Sequence, residues 1–69
     1  MTILREVREL QDLSMKALSI NVNIPVSTLY DVETGRRSIG ASKAIEIAKY
    51  YNVSVEELFI PTYYRVKVV

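Results

Sequence analysis

The groups available for chemistry in this chain are carboxylates, hydroxyls and basic side chains, because the sequence contains neither histidine nor cysteine. Histidine is the commonest general base and metal ligand, and thiolates are the other frequent ligands of zinc. Glu56 and Glu57 are adjacent, but they fit the first turn of a helix, where the helix dipole favours carboxylates, better than a catalytic pair. We therefore expect no enzymatic activity, no metal site and no cofactor.

Composition indicates one small globular domain. A chain of 69 residues has room for a single core, and no apolar run approaches the roughly 20 residues needed to cross a bilayer. The absence of cysteine fits the reducing cytoplasm, where we expect the protein to act. Nine basic and eight acidic side chains leave a net charge of only +1. The net charge by itself therefore gives no reason to expect a nucleic-acid partner.

Apolar spacing and helix-boundary residues predict an all-α fold of five helices with a short C-terminal β-strand. The helices are expected over about 3–11, 14–20, 25–33, 41–51 and 54–59, and the strand over 62–69. Thr2 and Ser14 are N-cap candidates, Pro25 suits a helix start, and Gly35 suits a helix end. The chain thus divides into a helical domain, 1–60, and a C-terminal segment, 61–69.

Smaller features complete this prediction. Residues 21–24 are expected to form a tight connection, and Ser54 with Glu57 a capping box. The fourth helix is expected to bury Ala44, Ile45, Ala48 and Tyr51 on one face. The predicted core residues are Leu4, Val7, Leu10, Leu18, Leu29, Val32, Ile45, Ala48 and Leu58.

The spacing across residues 18–32 is typical of two short helices that cross at a wide angle. Such a unit needs an inward leucine and then a small residue in its first helix. It also needs a turn residue that accepts left-handed backbone, and apolar anchors around the turn and in the second helix. These requirements are met, at the right spacing, by Leu18, Ser19, Val22, Asn23, Ile24, Leu29 and Val32. The set predicts a helix-turn-helix.

Short motifs on both sides extend this unit. They are Leu13-Ser14, Ser27-Thr28-Leu29-Tyr30, Glu33-Thr34-Gly35-Arg36-Arg37, Ile47-Ala48-Lys49 and Asn52-Val53-Ser54-Val55-Glu56-Glu57-Leu58. Over about 3–59 the chain therefore resembles the lambda-repressor-like family, also called the Cro/XRE family. The resemblance implies a compact five-helix domain whose third helix enters the major groove of double-stranded DNA. It also implies a transcriptional regulator, and we expect a repressor of phage or plasmid type.

A recognition helix contacts base edges with side chains near its N-terminus, on the face opposite its buried anchors. With Leu29 and Val32 inward, the third helix turns Val26, Ser27, Tyr30 and Asp31 outward, and the resemblance adds Thr28 close to the DNA backbone. The predicted base-contacting residues are therefore Val26, Ser27, Thr28, Tyr30 and Asp31. A valine can touch a thymine methyl, a serine can pair with several bases, and an aspartate can accept from cytosine N4.

Basic side chains and helix N-termini around this helix are expected to contact phosphates. The predicted phosphate contacts are Ser14, Lys16, Arg36, Arg37 and Lys43. The resemblance further implies a buried structural ion pair between Arg8 and Glu33.

Several residues depart from the family pattern. Met15 stands where the family often has a glutamine that grips a phosphate, and Asp31 repels phosphates unless it pairs with a base or a cation. These departures favour a second hypothesis, in which the domain is an antirepressor or antitoxin-like module that binds another regulator, for example another phage regulator. Both hypotheses stay open at this point.

The C-terminal segment lies outside the resemblance. As a strand it places Tyr64, Val66 and Val68 on one face, and Tyr63, Arg65, Lys67 and Val69 on the other. A single strand leaves its backbone groups unpaired, and a helical domain is expected to offer no sheet to join. We therefore expect the strand to pair with a second copy, which makes the protein a homodimer. A disordered tail and a strand donated to another protein are the alternatives.

Overall fold

Five helices and two short strands form the structure, a computed structural model that describes residues 2–61 and 63–68. The elements are α1 (Ile3–Leu10), α2 (Met15–Val22), α3 (Val26–Glu33), α4 (Ala41–Tyr51), α5 (Val55–Leu58), β1 (Phe59–Ile60) and β2 (Arg65–Val66). The prediction of a five-helix domain with a C-terminal strand is confirmed. No helix in the described ranges combines the length and hydropathy that a membrane span requires.

The first two helices begin at capping side chains. The Thr2 hydroxyl accepts a hydrogen bond from the Arg5 N–H, and the Ser14 hydroxyl accepts from the Ala17 N–H at 3.0 Å. Both predicted N-caps are therefore confirmed. By contrast, α3 begins after Pro25 and α4 after Gly40 with no side-chain cap. Ser54 contacts the Glu57 carboxylate at 3.2 Å but makes no side-chain bond to the backbone of α5, so the expected capping box is incomplete.

Residues in the left-handed conformation set the helix ends. Asn23 (φ 57°) follows α2, Asn52 (φ 59°) follows α4, and Gly35 (φ 83°) lies just beyond α3. The predicted end of α2 near Ile20 is wrong, because the helix continues for two more residues. This extra half-turn carries the buried Val22 into the core before Asn23 reverses the chain.

The core combines side chains from all five helices with two from the hairpin. Its largest fully buried members are Tyr51, Phe59, Leu4, Leu18, Leu29, Ile47, Leu58, Val22 and Val32. Two predicted core residues are exposed instead. Leu10 is 79% exposed because a spacing of three drifts around a helix, which leaves it about 120° around the helix from Leu4. Ile45 is 43% exposed, since Ile47 takes the inward position beside Ala44 and Ala48.

The C-terminal strand finds its partner within its own chain, so the expectation that the domain offers no sheet to join is wrong. β1 and β2 form an antiparallel hairpin with Phe59 opposite Val66 and Ile60 opposite Arg65. Phe59 leaves the last helix in an extended conformation and enters the core. Beyond β2, the Ile3 N–H donates to the Lys67 carbonyl at 2.9 Å. The chain's first helix therefore also holds the hairpin.

The predicted dimerisation residues occupy three different environments. Val66 is buried in the core of its own chain, so it is not available to a second copy. Tyr64 is half-buried in the turn with a φ of 49°, and Val68 is exposed and bridges to Thr2. The predicted strand positions 62 and 69 lie outside the described residues.

Tyr51 provides a test of this core. Its side chain is fully buried, its hydroxyl has no hydrogen-bond partner within the described residues, and burial raises its pKa to about 12. An unpaired buried hydroxyl costs about 1–3 kcal/mol. We expect Tyr51→Phe to keep or raise the free energy of unfolding in urea at neutral pH, with Tyr50→Phe as the half-buried control.

The pH dependence follows from the same shift. The pKa of Tyr51 is higher in the folded than in the unfolded protein. The stability that its protonated form contributes is therefore fully present below about pH 10, and it is lost as the pH rises through about 12. We expect Tyr51→Phe to lose less of its free energy of unfolding than the wild-type protein as the pH rises from about 10 to 12. A clear drop in stability for Tyr51→Phe at neutral pH would show that the hydroxyl makes a favourable bond.

Candidate nucleic-acid interface

α2 and α3 meet across a three-residue turn that Ser19 closes. The Ser19 hydroxyl donates to the Ile24 carbonyl, and the Ile24 N–H donates to the Ser19 carbonyl at 3.2 Å. The left-handed Asn23 supplies the reversal that the sequence predicted.

The anchors of this unit are buried as predicted. Leu18, Leu29 and Val32 are essentially inaccessible to solvent, and Val22 and Ile24 flank the turn from the core side. Because Leu29 and Val32 lie three residues apart, they fix one stripe of α3 inward. The opposite stripe must therefore face solvent.

The outward side chains of α3 differ in accessibility. Ser27 is exposed and Tyr30 is 51% exposed, whereas Val26, Thr28 and Asp31 are half-buried. Val26 also packs against the core, which leaves only part of its side chain accessible. The structure thus brings all five predicted base-contacting residues to one short helix, with Ser27 and Tyr30 the most accessible.

Two exposed arginines leave the end of α3. The N–H groups of Arg36 and Arg37 both donate to the Asp31 carbonyl, at 2.9 and 3.2 Å, so the chain wraps tightly around the helix end. Arg36 Nε also lies 3.2 Å from the Thr34 hydroxyl. Gly35 makes the wrap possible, because its φ of 83° is one that other residues rarely adopt. The backbone therefore fixes both arginines beside α3.

The other predicted phosphate-contacting residues are engaged to different degrees. Lys16 is exposed in the first turn of α2, next to the capping hydroxyl of Ser14. Lys43 has a role that the sequence did not predict. Its ammonium donates to the Val22 carbonyl at 2.8 Å, which caps the C-terminus of α2, and it lies 3.5 Å from Glu46. A basic group at a helix C-terminus complements the helix dipole.

Two departures from the family pattern now have structural consequences. Met15 is buried, so the side chain that replaces the family's glutamine contributes to the core. The Asp31 carboxylate takes part in none of the ion pairs found within residues 2–61 and 63–68. Asp31 therefore presents an uncompensated negative charge on the outer side of α3.

The Arg8–Glu33 ion pair ties α3 to the rest of the domain. Arg8 Nε and Nη2 donate to the two carboxylate oxygens of Glu33 at 2.9 and 3.1 Å. The side chains are 18% and 3% exposed. The hydrogen bond to Glu33 raises the pKa of Arg8 further. The hydroxyl of Thr2 also donates to the Glu33 carbonyl.

Sequence reasoning missed one neighbour of this surface. The Ile39 N–H, in the loop after the two arginines, donates to the Tyr64 carbonyl in the C-terminal turn at 3.3 Å. The hairpin therefore lies against the loop that leaves α3. To predict this neighbour from the sequence, one would have to recognise that Phe59–Ile60 pairs with Arg65–Val66. Strands of two residues are too short to produce a periodic pattern.

A short helix, a left-handed turn and a second helix with an exposed outer stripe define the helix-turn-helix class of DNA-binding domain. The model of the helix-turn-helix family HTH_3, of the Cro/C1 type, matches residues 4–58. The chain belongs to this family, as its lambda-repressor-like motifs implied, and is a DNA-binding regulator of helix-turn-helix type. No curated protein and no solved structure matches the chain significantly.

The ion pair generates a stability prediction. Glu33→Ala leaves the largely buried Arg8 without its partner, which should lower the free energy of unfolding by about 3–5 kcal/mol. Glu9→Ala is the matched control, because its pair with Arg5 is exposed and such pairs contribute only about 0.3–0.5 kcal/mol. Urea unfolding followed by circular dichroism measures both. Equal losses for the two variants would contradict the role assigned to the buried pair.

Proposed function

We propose that the protein is a sequence-specific regulator of transcription that reads the major groove of duplex DNA with α3. The supporting observation is the division of α3 into a buried stripe and an outer stripe. Leu29 and Val32 are fixed inside, while Ser27 and Tyr30 are exposed. The major groove, about 12 Å wide, admits one α-helix. Recognition through the major groove requires a helix whose inner side is fixed to the domain and whose outer side is free to contact base edges.

The outer stripe suggests how bases are distinguished. Ser27 would hydrogen-bond to base edges, and Tyr30 would contact a base or the sugar next to it. The accessible part of Val26 would meet a thymine methyl, and Thr28 would lie near the backbone. The Asp31 carboxylate would accept a hydrogen bond from cytosine N4. A phosphate group, being an anion without a donor, could not pair with it.

Phosphate contacts would set the register of the helix in the groove. We assign them to Arg36 and Arg37, which the backbone holds beside α3, and to Lys16 with Ser14 at the start of α2. We leave Lys43 out of this set, because its ammonium is held by the Val22 carbonyl and by Glu46.

We further propose that the protein acts in the cytoplasm as a homodimeric repressor of phage or plasmid type. Helix-turn-helix dimers bind half-sites about 34 Å apart, so a second copy would present a second α3 to the next major groove. Occupation of a promoter by such a dimer excludes polymerase without any catalytic step. The burial of Val66 argues against β2 as the dimer contact.

A second candidate function is a protein-interaction module of the antirepressor or antitoxin type. One observation favours it. Ile20 is 75% exposed at a groove of about 440 Å³ that Asn23, Ile24 and Pro25 also line, next to the start of α3. A partner regulator could cover this apolar surface. Co-purification of one defined regulator, without affinity for any duplex, would support this function.

Selection of bound duplexes from a random pool tests the first proposal. We expect the wild-type protein to enrich one site with two-fold symmetry. Ser27→Ala should change the preferred bases, because it removes a base contact. Arg36→Ala should weaken binding to all sequences alike, because phosphate contacts carry no base information. Enrichment of no site by the folded wild-type protein would contradict the proposed function.

A further inference from the structure

The low net charge of the protein conceals an uneven distribution. Residues 34–45 and 58–69 carry no acidic residue. Together they hold five of the nine basic residues: Arg36, Arg37, Lys43, Arg65 and Lys67. The remaining segments hold four basic residues and all eight acidic ones. The two acid-free segments are far apart in sequence, so only the fold decides whether their charges act together.

The fold joins these segments. The Ile39 N–H donates to the Tyr64 carbonyl at 3.3 Å, which fastens the C-terminal turn to the loop after α3. A groove of about 480 Å³ lies between them, lined by Ser38 on the loop side and by Ile60, Tyr63 and Arg65 on the hairpin side. Arg65 thus lines the same groove as Ser38, the residue that directly follows Arg37 in the chain.

The hairpin is held firmly in this position. Val66 is buried and packs close to Gly35. A Cβ atom added to Gly35 would lie 3.9 Å from Val66 Cγ2, which is van der Waals distance. The Lys67 N–H donates to the Leu58 carbonyl at 2.9 Å. The turn is therefore anchored on both sides to the core that carries α3.

Three of the basic side chains on these two segments are accessible. Arg36, Arg37 and Arg65 are exposed, and none belongs to an ion pair within the described residues. Tyr63 is also exposed, and a tyrosine hydroxyl is a frequent donor to phosphate. The surface combines uncompensated positive charge with hydrogen-bond donors.

We propose that the C-terminal turn and the first residue of β2, residues 63–65, form a second backbone-contacting element, in which Arg65 binds phosphates of duplex DNA next to those bound by Arg36 and Arg37. This inference rests on the proposed function, since the same DNA must lie along α3. Charge complementarity selects the occupant: a polyanion matches a surface on which three unpaired arginines outnumber the one neighbouring carboxylate, that of Asp31. The family model ends at residue 58, before this turn.

The test is the salt dependence of binding to a fluorescein-labelled duplex of mixed sequence, measured by anisotropy with the full chain. Each phosphate contact contributes about 0.9 to the slope of log affinity against log salt. Between about 50 and 200 mM salt, the wild-type affinity should therefore fall about 3.5-fold more than that of Arg65→Gln. Arg65→Lys should keep the slope. Lys49→Gln removes the same charge from an exposed position outside both acid-free segments and is the matched control.

The result that overturns the proposal is an equal slope for Arg65→Gln, Lys49→Gln and wild type. Arg36→Gln separates this failure from failure of the proposed function. If Arg36→Gln lowers the slope and Arg65→Gln does not, DNA binding stands and the second contact is wrong. If the wild-type protein binds no duplex at low salt, both are wrong. Thermal melts of all variants establish that each is folded.

Discussion

The ion pair between Arg8 and Glu33 is the interaction on which the placement of α3 depends. Hydrophobic burial of Leu29 and Val32 holds the helix against the core, but burial is non-directional. The two parallel hydrogen bonds from the guanidinium are directional, and they join the last residue of α3 to α1. A chain without cysteine has no disulfide to serve the same purpose. The orientation of the outer stripe, and so the proposed base contacts, follows from the buried anchors Leu29 and Val32 together with this pair.

A separate constraint governs the charged surface. The protein keeps a net charge of +1, yet its positive charge is concentrated in the two segments that meet beside the end of α3. Acidic residues in the other segments balance the total, and two of them lie next to these segments: Glu46 beside Lys43, and Asp31 on the outer side of α3. A low net charge is therefore compatible with DNA binding, because local fields rather than totals act over the Debye length of about 8–10 Å. The hairpin contributes to this arrangement by carrying Arg65 to the loop.

The sequence was sufficient where the signal is local. Asn23 and Gly35 were assigned correctly because left-handed backbone depends mainly on the residue itself. The bounds of α4 and the anchors of α3 followed from spacing. Leu10 was misplaced because a spacing of three drifts around a helix, and Ile45 because Ile47 takes the inward position beside Ala44 and Ala48. The hairpin, the capping role of Lys43 and the burial of Met15 depend on distant parts of the chain, which periodicity does not report.

In the proposed complex, DNA lies along α3 and the loop that follows it. Backbone amide chemical shifts, followed by NMR as a selected duplex is added to the labelled protein, test this most directly. We expect the largest changes at Ser27, Thr28, Arg37 and Arg65, and small changes at Lys49 on the C-terminal half of α4. Changes concentrated around Leu10 and Ile45, with α3 unaffected, would contradict it.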